Sequence, residues 1–263
     1  MIELSAPARA TELMRCFPSG VPGLPALAEH ALGTGRGRWW ADRPVEPRVL
    51  AVSCGDHVLL RGRAGVLRPQ DLHPLAAAYV EAPEHFVPVL RAAFTRLDPW
   101  ERMVYVRHAA PVEARPPRGV ALRRLTGTDA ERLADLGPQA QWIHGTWGGP
   151  HGLAGSGCAW GAFRRGRLLT VACTYVRGSR YEDVAVACDP AHRRRHLALA
   201  CVNALCSDIE QRGRTPSWTC SRDHRPSRLL AWYAGFRLQQ EHVHYATGAG
   251  RAAAPTGRPA HGA

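Results

Sequence analysis

The 263-residue chain is 45% hydrophobic, enough to fill one large core or two modest ones, which excludes a chain that is disordered throughout. No apolar run reaches the ~18 residues a membrane-spanning helix needs, and the first ten residues lack the basic start and apolar stretch of a secretory leader, so a cytoplasmic protein with no membrane partner is expected. The net charge of +12 rests entirely on arginine, because the sequence contains no lysine; such a surface attracts a nucleic acid or a phosphorylated cofactor, and it also follows from a bias toward Arg, Ala, Gly and Pro.

In the first 110 residues, 48–53 and 57–61 read as short strands around a Cys54-Gly55-Asp56 turn. Phe86, Val89, Leu90, Ala93, Phe94 and Leu97 recur at helical spacing over 84–97, with Pro88 fitting only in a first turn. Residues 103–106 read as another strand. This region is expected to be a small α/β subdomain without a chemical motif. The proline-rich stretch 109–119 suits neither a helix nor a central strand, so 111–119 is expected to link two domains.

The second half alternates more clearly, with strands expected at 120–123, 158–163, 168–176 and 183–188 and a turn at Gly166. A helix over 194–212 carries Leu197, Ala200, Cys201, Ala204 and Leu205 on one face and ends at Gly213. A strand at 217–220, a helix at 226–234 and a strand at 236–245 follow, giving a mixed α/β domain over 120–247. Residues 248–263 have no apolar period and read as a disordered tail.

The eight cysteines stand singly in apolar stretches with no C-x-x-C pair, which is the pattern of small buried hydrophobes in a reducing compartment. The pairs Cys201/Cys206 and His242/His244 lack both a second pair and supporting carboxylates, so no metal is expected.

The chemistry concentrates where an apolar strand passes through Asp189-Pro190 and the basic run Arg193, Arg194, Arg195 and His196 into the helix that begins with Leu197 and Ala198. The unpaired amides and positive dipole end of a helix N-terminus favour phosphate, and arginines there raise the potential further. An ordinary solvated turn is the plain alternative.

This stretch resembles the acyl-CoA-binding motif R/Q-x-x-G-x-G/A of the GNAT acyltransferases, and other pieces follow in family order: Pro216-x-Trp218-x-Cys220, His224-x-x-Ser227, Leu230-Ala231 and Gly235-Phe236. They are similar to the GNAT subgroup with the pattern P-x-W-D-C-x-x-x-N-x-x-S-x-x-L-A-x-x-x-G-F, whose chains carry an extra N-terminal region; residues 39–62 resemble that region weakly. The resemblance implies a GNAT fold in the second half, with the first half a degenerate GNAT-like copy covering one sheet edge. It implies that the loop amides of 193–198 hold the pyrophosphate of acetyl-CoA or another acyl-CoA, near His224 and Ser227. It further implies that backbone N–H groups of Val186, Ala187 and Cys188 polarise the thioester carbonyl, with direct transfer and no cysteine nucleophile. The sequence departs from the family at His196, where the second glycine belongs and a Cβ crowds the pyrophosphate; at His224, which replaces Asn; and at Ala231, where the common general-acid tyrosine stands. Tyr233, two residues on, is turned roughly 200° around a helix.

Asp183 matches a carboxylate the subgroup often carries and is the first choice of general base, with Glu182 its rival. Strand alternation puts the two on opposite faces, and both as salt-bridged rim carboxylates is the plain alternative. Trp142, His144, Trp147, Gly148 and Gly149 lie where the family has substrate-facing loops; the tryptophans line an acceptor pocket or belong to the core, and His144 suits proton transfer. Ser227 caps the following helix or touches the cofactor. The leading function is therefore acyl-CoA-dependent transfer, acetyl foremost, to a small-molecule amine. A second reading is aminoacyl transfer from a charged tRNA, motivated by the basic charge and the missing glycine. A third is a non-catalytic GNAT-like binding module, motivated by the missing tyrosine.

Overall fold

Among the described residues, twelve segments, most with alternating polar and apolar side chains or apolar runs, pair into one mixed sheet. We describe residues 1–4, 13–193 and 196–248 of a computed structural model. The strands are β1 (Ile2–Leu4), β2 (Arg38–Ala41), β3 (Val49–Cys54), β4 (His57–Gly62), β5 (Tyr79–Glu81), β6 (Leu97–Arg107), β7 (Ala121–Arg124), β8 (Ala159–Arg164), β9 (Arg167–Arg177), β10 (Tyr181–Cys188), β11 (Thr215–Ser221) and β12 (Phe236–Thr247). Their order is β1-β2-β3-β4-β5-β12-β6-β11-β10-β9-β8-β7. Helices α1 (Leu27–Thr34), α2 (Val87–Ala93), α3 (Ala130–Ala134), α4 (Pro150–Ala154), α5 (Leu197–Gln211) and α6 (Arg225–Tyr233) cover its faces. The mixed α/β class expected from the sequence is what is found.

The position of β6 is the feature that matters most for the site. Encoded in the first 110 residues, it is inserted between β12 and β11, antiparallel to both. The two halves thus share one sheet. The proline-rich connection that follows lies along α6: the Val112 amide donates to the Tyr233 carbonyl at 2.7 Å, and the Ala109 amide to the Gly235 carbonyl at 3.0 Å. Gly235, of the Gly-Phe pair, has φ of 89°, and a Cβ there would lie 2.2 Å from the Ala109 carbonyl oxygen, so only glycine fits.

One face of the central strands packs Val184, Trp218 and Met103 under Leu197, Cys201, Leu205 and Ile209 of α5. The other packs Val171, Ala185 and Ala187 under Leu133, Ile143 and Leu153. Each of these valine, leucine, isoleucine and methionine side chains contributes about 2 kcal/mol through burial, the alanines less. The helical spacing at 84–97 becomes a 3-10 turn, Glu84–Phe86, followed by α2, with Pro88 in its first turn where the missing N–H costs nothing. From Leu97 the chain is already in β6, because pairing on both sides outweighs the helical pattern. Six cysteines are buried as expected, Cys188 is half-buried, and Cys16 is instead exposed. The tail expected over 248–263 lies, from residue 249 on, outside the described residues. Among the described residues no helix is long and apolar enough to cross a membrane.

Candidate active site

Strands β10 and β11 are parallel neighbours for only four residue pairs, from Tyr181↔Thr215 to Val184↔Trp218. Beyond them β10 follows β9 to Cys188, while β11 follows β6 to Ser221. A bulge between Asp183 and Val184 turns β10 away at this point. The strands splay, and alternate peptide groups of Ala185–Cys188 face a gap in place of a partner strand. Val186, Ala187 and Cys188 form this wall. Such a wall can hold a carbonyl oxygen.

The wall leads into the basic loop. Asp189 fixes its start, accepting from the Ala191 amide at 2.9 Å and from Arg167 at 2.6 Å, with His192 beside it at 3.2 Å. These partners hold its carboxyl below the usual range, led by the Ala191 hydrogen bond. Pro190–His192 form a 3-10 turn, Arg193 is exposed, and Arg194 and Arg195 lie outside the described residues. His196 then takes the left-handed conformation, φ 59° and ψ 6°, immediately before the fifteen-residue α5. This is backbone that glycine adopts freely and other residues rarely do. The imidazole is exposed. The loop therefore keeps a glycine's path with the side chain outside, and the first amides of α5, at Leu197 and Ala198, remain at the positive dipole end.

Asp183 and Glu182 point to opposite faces. Glu182 is fully buried beside α5 and accepts from Arg212 Nε at 3.2 Å and Nη2 at 2.7 Å, from Arg214 Nη1 at 3.2 Å, and from Thr174. Asp183 faces the other way, into the apex of the splay, where Ser217 Oγ and Thr219 Oγ1 donate to its Oδ1 at 2.9 and 3.0 Å. Burial raises its pKa to about 6 against the lowering effect of both hydroxyls and of Arg102. A carboxylate so tuned accepts a proton at neutral pH. Above it sits Gly23, whose amide donates to Ser217 Oγ at 3.2 Å.

The same face continues across β6 and β12 as a buried polar surface. Arg102 stacks its guanidinium 3.8 Å from the Trp100 ring centroid, His242 is its register partner on β12, and His244 is that of Trp100. The His242 and His244 Nε2 atoms lie 3.1 Å apart. His57, from the β4 end near the Cys54-Gly55-Asp56 turn, closes on His244 and on Tyr175. Burial holds His57 down to about 3 and His242 to about 4, and His244 well below its ordinary value, so all three are neutral at pH 7.

Of the loop residues singled out in the sequence, Trp142 packs at a tilt against Tyr175, 5.7 Å between ring centroids, and so adjoins this surface. Trp147 is core: its Nε1 donates to the Thr174 carbonyl at 2.8 Å and its ring meets His30 edge-on. His144 is half-buried, with its pKa lowered by burial. His224 precedes α6, its pKa lowered chiefly by burial. Ser227 does not cap that helix as expected; it lies inside the first turn and accepts from Trp218 Nε1 at 3.1 Å. Ala231 is buried in the core, and Tyr233 is 49% exposed. Sequence reading missed Arg102, His57, Ser217 and Thr219, and met His242 and His244 only as an unsupported metal pair. The available signals were polar residues at every second position of 217–221, and histidines two apart on a strand.

A family model described as GNAT acetyltransferase matches residues 25–245. A protein of Streptomyces virginiae named "Uncharacterized N-acetyltransferase in mutA 5'region" is 56% identical over 200 residues, covering 75% of this chain and 84% of that protein. Among solved structures, a GCN5-related N-acetyltransferase-like protein from Streptococcus suis superposes with a TM-score of 0.71 at 15% identity, covering 92% of this chain and all of the other. A tandem GNAT protein from the clavulanic acid biosynthesis pathway gives 0.59 at 12% identity, covering 93% and 96%. Its tandem layout accords with two halves built on one sheet. A match that spans both halves, with a close relative and a shared architecture, identifies this chain as a member of the GNAT acetyltransferase family.

Proposed function

We propose that this protein transfers an acyl group, acetyl foremost, from acyl-CoA directly to the amine of a small-molecule acceptor. The observation that carries this reading is Asp183 at the apex of the β10–β11 splay, with a pKa near 6. The donor fits the chain: the glycine-like backbone at His196, with its imidazole exposed, leaves the first amides of α5 open to a pyrophosphate. The arginine run 193–195 brings positive charge to the loop in sequence, and His224, within electrostatic reach of Arg193, and Ser227 are the further residues assigned to the cofactor. The backbone amides of Val186–Cys188 hold the thioester carbonyl oxygen as it gains charge. Asp183 takes a proton from the acceptor ammonium, the freed nitrogen forms the amide bond, and the carbon–sulfur bond breaks. The nitrogen gives up a second proton as the amide forms and the leaving thiolate takes up one, so the reaction releases one proton overall.

The test is calorimetric titration of the nuclease-treated protein with acetyl-CoA. Micromolar binding, followed by thiol release with an amine acceptor, is the expected result. No acetyl-CoA binding together with salt-sensitive binding of charged tRNA would replace this reading by aminoacyl transfer. Binding without turnover across an amine panel would favour a binding module.

A further inference from the structure

We propose that the acceptor amine also carries a carboxylate, and that Arg102 binds it. The inference rests on the acyl-transfer reading above and names the class of acceptor.

Arg102 is only 8% exposed, yet among the described residues no salt bridge joins it to a carboxylate. Its one hydrogen bond runs from Nη2 to the Thr219 carbonyl at a long 3.4 Å, while Nε and Nη1 are buried without a partner. Stacking on Trp100 offsets part of the desolvation and satisfies no N–H. A guanidinium stays charged at neutral pH, even where burial lowers its pKa to about 10 as here. A buried, permanently charged and half-unpaired donor is costly to the folded protein. A ligand anion would supply the missing partner.

The surroundings narrow the anion. His57 Nδ1 and His244 Nδ1 are likewise buried without partners. These imidazoles are neutral, so they add hydrogen bonding and no charge. Arg61 also acts on His242 and His244 but is paired with Glu81 at 2.5 Å, so Arg102 is the unpaired cation that faces the ligand, with the titratable Asp183 close by. That matches a monoanion such as a carboxylate and disfavours a phosphate dianion.

The position assigns the carboxylate to the acceptor. Thr219 touches both groups: its hydroxyl donates to Asp183 Oδ1 at 3.0 Å and its carbonyl accepts from Arg102 at 3.4 Å. An amine at Asp183 thus lies one residue away from the cation. The wall expected to hold the acyl carbonyl is on β10, separated from β6 by β11. Because β6, β4 and β5 come from the first half of the chain, that half contributes acceptor recognition.

The test titrates the full-length protein, by calorimetry, with the standard amino acids and their matched primary amides, in the presence and absence of CoA. At least one amino acid is expected to bind, with its amide at least tenfold weaker. Arg102→Met should erase that preference, leave acetyl-CoA affinity within twofold, and keep or raise Tm, because the variant removes an unpaired buried charge. Arg102→Lys should keep part of the preference. Equal affinity for acid and amide, an intact preference in R102M, or no binding by any amino acid overturns the proposal. A Tm lowered by several degrees in R102M points to a structural role and overturns it as well. Malonyl- or succinyl-CoA binding tenfold tighter than acetyl-CoA, in a manner lost in R102M, would give the anion to the donor instead. The amino-acid titrations need no acyl donor, so their failure is distinguishable from failure of the acyl-CoA reading.

Discussion

The backbone amide of Gly23 donates to Ser217 Oγ, which in turn donates to Asp183, so a residue near the start of the chain positions a hydroxyl on a carboxylate 160 positions later in sequence. Gly23 has φ of 81°, and a Cβ there would lie 2.9 Å from Thr219 Oγ1 and 3.1 Å from Val104 Cγ2. Gly23→Ala must therefore both strain its backbone and push on Thr219, which donates to Asp183, and on its register partner Val104. We expect a stability loss of about 2 kcal/mol in urea unfolding. A fall in acyl transfer should accompany it, roughly tenfold for an ångström-scale displacement of the base. A normal rate in this variant would show that the hydroxyl chain does not position Asp183.

Asp183 should write its titration into the pH profile. Its folded pKa, about 6, lies above the ordinary value, so the base is protonated and idle at low pH. The rate is expected to rise about tenfold per pH unit below that point and to level off above it. Asp183→Asn should abolish the limb and lower the rate by roughly 10²–10⁴. The sign for stability is opposite to that of a salt-bridged carboxylate: the contribution is fully present below the unfolded pKa and is lost as pH rises through about 6. D183N should accordingly unfold at a Tm less sensitive to pH between 4 and 6.

Glu182 should behave as its opposite. It is enclosed by Arg212, Arg214 and Thr174 on the α5 face, so Glu182→Gln removes the charge that compensates two arginines. Both arginines are partly exposed, which limits the expected loss to about 2 kcal/mol. The pH–rate limb should stay where it is. A variant that folds normally but loses that limb would make Glu182 the base.

His196→Gly places the family's residue on backbone that already suits it. Relief of the left-handed strain is expected to stabilise the protein by up to about 1 kcal/mol, measured by denaturant midpoint. Acetyl-CoA affinity should change by less than about threefold, because the imidazole is exposed. A large gain in affinity would mean that the side chain does obstruct the loop.

How much of this was legible in the sequence follows from the range of the interactions involved. The strands from 158 to 188, the helix after the basic loop and the Gly-Phe turn are written in local alternation, turn residues and backbone conformation, all of which act over a few residues. The same local logic puts Asp183 and Glu182 on opposite faces of β10, without saying which face lines the cleft. That was decided by α5, whose capping residue Arg212 reaches Glu182. The insertion of β6 between β12 and β11 is a pairing between segments more than a hundred residues apart, and no local period specifies it. Arg102, His57 and His244 each read as an ordinary strand residue in isolation. Only tertiary pairing gathers them, because desolvation and unmet hydrogen bonds are properties of an enclosure that the separate segments do not have.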